Sequence, residues 1–275
     1  MKHLNRRRWL VCWTIAATAG AVGCKEPTAP NPDPTKTPEK QSAAKKPAPA
    51  AEKASPDAAP AGEHGGADAR ADSLAEHMRG HFGAATTLRN AVIAGRLDGL
   101  AAPSKALADD QMESKKAPEP WQPRLKAMRE AAVRAGKAKS VAEAASAVAE
   151  LGATCGGCHR QTKTEVNFPL GTVPPEGKDR KSHMARHAWA MSRLWEGLVG
   201  PSDYAWKTAT AVLAEEPLKS HEIPPKSAGK EASVLADEVH KVGRRAGAAK
   251  TVEQRAKVYD ALVRLCARCH ALFAD

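Results

Sequence analysis

The chain runs to 275 residues with a net charge of +11, 4% aromatic residues and 20 prolines. A basic balance of this kind suits acidic partners or an anionic surface, but no basic-aromatic cluster supports nucleic-acid binding. No phosphate loop, nucleophile triad or carboxylate pair stands at an informative spacing.

Lys2, Arg6, Arg7 and Arg8 make a positive start, and Trp9 to Val22 is largely apolar. That order predicts a secretory signal over residues 1–24, the apolar run being short for a membrane span. Ala21-Val22-Gly23-Cys24 resembles the end of a bacterial lipoprotein signal, which implies lipidation of Cys24 and a membrane anchor. Ala21 departs from that family, which carries a larger aliphatic residue there. Residues 25–72 are built from Pro, Ala, Lys, Glu, Ser and Thr with no aromatic side chain. Such a stretch buries too little apolar surface to offset the entropy of ordering, so it reads as an extended tether.

The remainder contains an internal repeat. Glu76-His77-Met78-Arg79-Gly80-His81 aligns with Ser182-His183-Met184-Ala185-Arg186-His187 at an offset of 106. Ala135 to Val141 aligns with Ala246 to Val252 at an offset of 111, the difference falling in the Pro-rich stretch around Pro217 to Gly229. A unit of about a hundred residues is too long for a solenoid and suits a duplicated domain. In each unit the first helix is marked by apolar steps of three and four: Leu74, Met78, His81, Ala85, Leu88 and Val92, then Met184, His187, Met191, Leu194 and Leu198. Two shorter segments follow in the first unit, about 97–110 and 121–137, bounded by glycines and prolines. The last helix carries Val141, Ala144, Val148, Leu151, Cys155 and Cys158, echoed by Val252, Tyr259, Leu262, Cys266 and Cys269. The fold class is therefore all-α: two tandem antiparallel four-helix bundles over 73–165 and 182–275, joined by a connection at 166–181. Each bundle is expected to fold by itself.

Four of the six cysteines form two C-x-x-C-H motifs, Cys155-Gly156-Gly157-Cys158-His159 and Cys266-Ala267-Arg268-Cys269-His270. Thiols three positions apart on a helical turn reach the two vinyl groups of one porphyrin, and the adjacent imidazole then lies under the iron. A single copy is also compatible with a zinc knuckle or a redox dithiol. Two copies point to two covalently bound haem c groups, with thioethers at Cys155, Cys158, Cys266 and Cys269 and proximal iron ligands at His159 and His270.

A four-helix unit with this motif on its last helix resembles the cytochrome c′ class and its low-spin relatives, over nearly all of both units. The resemblance implies that the first helix faces the distal side of the haem, either apolar or supplying methionine. Here the first helix offers histidine and methionine together. At about 100° per residue, His81 and His187 lie nearest the centre of the apolar stripe and are the expected distal ligands. Met78 and Met184, at the margin of the same face, are the alternatives, and His77 and His183 lie beside them. His221 and His240 read as exposed, and Trp189, Trp195 and Trp206 as packing of the second bundle.

These features predict an exported, periplasmic one-electron carrier rather than an enzyme, docking on acidic redox partners. A nitric oxide or carbon monoxide sensor of the cytochrome c′ kind is the alternative, and a dihaem peroxidase a distant third.

Overall fold

Helix starts in this chain are written in its caps. Ser140, Asp179, Ser202 and Thr251 each adopt an extended backbone and accept a hydrogen bond from the amide three residues on, satisfying a donor that the first turn would leave orphaned. Thr251 completes a capping box, since the Gln254 side chain bonds back to the Thr251 amide. In the computed structural model, which describes residues 65–109, 117–169, 171–217, 223 and 229–273 (side chains from 74 onward), these caps open four of eight helices.

The helices are α1 (Gly65–Ile93), α2 (Ala101–Ala108), α3 (Gln122–Lys137), α4 (Val141–Thr162), α5 (Arg180–Val199), α6 (Asp203–Leu213), α7 (Gly229–Ala246) and α8 (Val252–Ala271). No strand occurs among the described residues, in keeping with the all-α expectation. The breakers fall where the sequence places them: α2 follows a short 3-10 turn at Asp98–Leu100, and α3 follows another at Glu119–Trp121. One boundary differs. α1 begins at Gly65, inside the stretch expected to be tether, because residues 67–72 alternate alanine with Asp and Arg and contain no proline. Cys24, the signal over 1–24 and the tether up to residue 64 lie outside the described residues.

Within each half, consecutive helices pack on one another and the first packs on the last. The halves also pack together: α4 lies against α8 and α5, and α1 against α8. A single apolar cluster accordingly runs through Leu88 of α1, Leu151 of α4, Trp195 and Leu198 of α5 and Leu262 of α8. Trp195, fully buried, donates from Nε1 to Thr86 Oγ1 at 3.2 Å and tilts against the Tyr259 ring at 5.5 Å. Trp195 and Leu198 of the second half are covered by Thr86 and Gly152 of the first, so the two halves share a core. Residues 61–275 form one compact unit.

The close approach of α4 to α5 depends on glycine at two places. A Cβ on Gly156 would collide with the Leu198 carbonyl, and one on Gly152 would stand 2.6 Å from Trp195. Arg255, 1% exposed, fastens the second half: it donates to the Gly197 carbonyl at 2.9 Å and to the Asp203 carboxylate, and its guanidinium lies 5.2 Å from the centre of the Trp206 ring. Trp206 is itself buried and donates from Nε1 to the Ala246 carbonyl. Trp189 is partly buried and donates to the Gly171 carbonyl; Trp206 packs the second half as expected, while Trp195 lies against the first.

α4 and α8 run antiparallel. Ser146 meets Asp260 at 3.2 Å near the middle of the pair, and Gly156, towards the end of α4, faces Val252 at the start of α8. At 1.5 Å per residue that register puts Cys158 and Cys269 about 30 Å apart along the helix pair.

Candidate functional site

Both C-x-x-C-H motifs lie within the last turns of their helices, α4 and α8, and all four cysteines are free thiols at intermediate exposure. Cys155 and Cys266 rest on the main core, while Cys269 belongs to a small apolar cluster around Ile223 and Ala232 that also takes in Met184, Leu272 and Phe273. Burial pushes the Cys155 and Cys266 thiols up to about 12, the charge of Cys158 or Cys269 adding to the effect. Burial also raises Cys158, opposed by the Arg124 guanidinium, and raises Cys269.

The two motif histidines share one arrangement. His159 Nδ1 lies 2.8 Å from the Val199 carbonyl, and His270 Nδ1 lies 2.8 Å from the Ile93 carbonyl. A carbonyl only accepts, so in each ring Nδ1–H is the donor and Nε2 points away from that bond. The acceptors are equivalent as well: Ile93 ends α1 and Val199 ends α5, and the two positions differ by the repeat offset of 106. Each motif histidine is thus oriented by the first helix of the other half. The orphaned carbonyls at a helix C-terminus, where the dipole is negative, receive the ring proton.

Of the expected distal residues, His77, Met78 and His81 lie partly buried on α1, with the His77 and His81 rings 4.4 Å apart. On α5, Met184 is turned to the cluster that holds Cys269. His187 lies among histidines, with His183, His240 and the motif residue His270 all near enough to act on its charge. Its Nε2 lies 3.2 Å from His240 Nε2, and His240 Nε2 lies 3.4 Å from His183 Nε2. Burial pushes His187 down to about 3, with the charges of His183, His240 and His270 adding to the effect. His240 is lowered by burial too, against the upward pull of backbone groups of Glu215 and Leu213.

His240 is the residue that sequence reasoning missed: it is fully buried, not exposed. Its signal lay in the periodicity of α7, where Ala232, Leu235, Val239, Gly243 and Ala246 are buried and position 240 falls within their stripe. The charged neighbours obscured it. His221 lies outside the described residues.

His183, His187 and His240 form a group whose ligand atoms all lie within 4.8 Å of one another and which could bind a metal ion; among the described residues neither cysteine pair belongs to such a group. That disfavours a zinc knuckle at either motif, which needs four converging ligands. The raised thiols disfavour a redox dithiol, which works through a lowered pKa. Each half-buried cysteine pair thus lies on one helix face beside an imidazole held by Nδ1. No protein-family model matches this chain, and neither a curated protein nor a solved structure matches it.

Proposed function

We propose that the chain is an exported dihaem c-type cytochrome that carries single electrons, its halves being two docked four-helix bundles similar to the cytochrome c′ class. One observation carries this reading: in both motif histidines Nδ1–H is held by a helix-terminal carbonyl, with the same geometry in both halves, so that Nε2 is the nitrogen left to ligate. Histidines that ligate metals are oriented and made more basic in this way. Cys155 and Cys158, and Cys266 and Cys269, would hold haem c as thioethers, supplying reversible one-electron iron chemistry at each site.

The chain's own residues then set the properties of each iron site. His159 and His270 are fixed in tautomer and direction before any group is bound. On the distal side we assign His81 to the first iron, from its central place on the α1 face. For the second we assign Met184, which shares the apolar cluster of Cys269, with His187, close to His183, His240 and His270, as the alternative. Histidine at one site and methionine at the other make the second potential the higher. The net charge of +11 favours encounter with acidic redox partners in the periplasm, and Cys24 is the proposed point of lipid attachment.

A visible spectrum with and without carbon monoxide tests the role. Low-spin ferrous bands unchanged by carbon monoxide are expected. A high-spin spectrum that shifts with carbon monoxide would refute the carrier and favour a gas-binding module. For the second ligand, the far-red ferric band of a methionine–iron bond should be present in the parent and absent in Met184→Ala. Its absence from the parent would return the ligand to His187.

A further inference from the structure

The three-histidine group on α5 and α7 is not used by the haem reading above, and its geometry makes a demand of its own. Two Nε2–Nε2 separations are 3.2 and 3.4 Å. A tetrahedral ion bonded to nitrogen at about 2.0–2.1 Å holds its ligands about 3.3–3.4 Å apart, the edge of that tetrahedron. One shared proton bridges two ring nitrogens, whereas three converging on a point are satisfied together by a cation. We infer that His183, His187 and His240 form a mononuclear site for a late first-row divalent ion of the zinc or copper class, with its fourth position open. The inference does not rest on the haem reading.

Three observations support it. The donors are all imidazole, which suits zinc, copper or nickel and not calcium or magnesium. They come from α5 and α7, and a Cβ on Gly243 of α7 would collide with the Leu213 carbonyl, so α7 is seated against the end of α6 three residues from His240. The site also belongs to one half alone. The repeat offset of 111 puts Arg129 where the second half has His240, so the pair His77 and His81 on α1 has no third imidazole from α3.

The test uses the full chain with its haems attached, stripped with a chelator and dialysed against Zn2+, with non-haem metal counted by elemental analysis. One equivalent is expected in the parent. Its affinity should fall by more than the about 100-fold that losing an outer-shell partner costs, both in His240→Ala and in the partly exposed His183→Ala, which guards against a folding defect at His240. His77→Ala should bind as the parent does. No stoichiometric zinc, or zinc unaffected by either substitution, overturns the inference. So does zinc taken up only by haem-free chain and excluded once haem is attached, since the histidines would then serve the second iron. Covalent haem, counted separately by mass, reports on the haem reading without reference to zinc.

Discussion

Replacing Gly156 by alanine should destabilise the protein, against the ordinary trend for a helical glycine. Inside a helix the change is favourable by about 1 kcal/mol, because alanine loses less backbone freedom on folding. Here the added methyl meets the Leu198 carbonyl, a main-chain atom of α5 that no rotamer change removes from its path. Overpacking costs about 1–3 kcal/mol, and collision with a backbone held on both sides belongs at the upper end. The net loss is therefore about 2 kcal/mol, a fall in Tm of about 4–8 °C for a unit of this size. Gly157 is the control within the same motif. A methyl there stands 3.0 Å from the Arg124 guanidinium, the mobile end of a long side chain, so Gly157→Ala should match or exceed the parent. Far-UV thermal melts of the haem-attached variants decide. A Gly156→Ala protein that melts at or above the parent would refute the packing of α4 on α5, and with it the account of how Val199 reaches His159.

Denatured protein should retain two haem masses covalently by mass spectrometry; one, or none, sinks the dihaem reading. Residues 73–165 and 180–275 expressed separately should fail to give cooperative melts, since Trp195 and Leu198 lose their cover, and a cooperatively folded half would restore independent bundles. Arg255→Leu should cost about 2–3 kcal/mol by denaturant unfolding, because the Gly197 carbonyl loses its donor in a buried site. The Arg255 hydrogen bond also holds Asp203 below the usual carboxylate range. That contribution is present above the unfolded pKa and is lost as the pH falls through the folded one, so the Arg255→Leu deficit should shrink in acid.

The helices were legible because the sequence states them locally: steps of three and four, breakers at Gly95, Pro103, Pro118 and Pro123, and capping residues before α4 and α8. The C-x-x-C-H motif is local as well, five residues whose spacing carries the proposed chemistry. What the sequence did not disclose is long-range. Nothing near Val199 or Ile93 marks either carbonyl as the acceptor for a histidine 40 or 177 positions away. The duplication itself was plain, but a repeat does not say whether its copies lie side by side or exchange contacts. Gly156 looked like an idle spacer in C-x-x-C-H, yet its lack of a side chain is set by α5. Met184 and His187 could not be separated by helix angle alone, because the partner helices decide which one faces Cys269.

The antiparallel register of α4 and α8 leads to the last prediction, that the two haem sites titrate independently although they share a core. With Cys158 and Cys269 about 30 Å apart along the helix pair, two unit charges interact by about 0.1 kcal/mol at the dielectric of water and about 0.6 kcal/mol at an effective value of 20. Those figures are about 6 and 25 mV for a one-electron couple, before screening by salt over a Debye length of about 8 Å. In the proposed assignment the shared elements would act on ligand geometry and leave charge coupling small: α1 would offer His81 to one site and offers the Ile93 carbonyl to His270, while α5 would offer Met184 and offers the Val199 carbonyl to His159. Spectroelectrochemical titration of the parent should resolve two one-electron waves. His81→Ala should make the first haem high-spin and shift its wave, while the second moves by less than about 25 mV. A shift of about 100 mV or more at the second haem, with His270 still bound, would exceed anything the electrostatics allow. It would mean that α1 transmits the ligand change mechanically to the Ile93 carbonyl, and the two sites would be one coupled device.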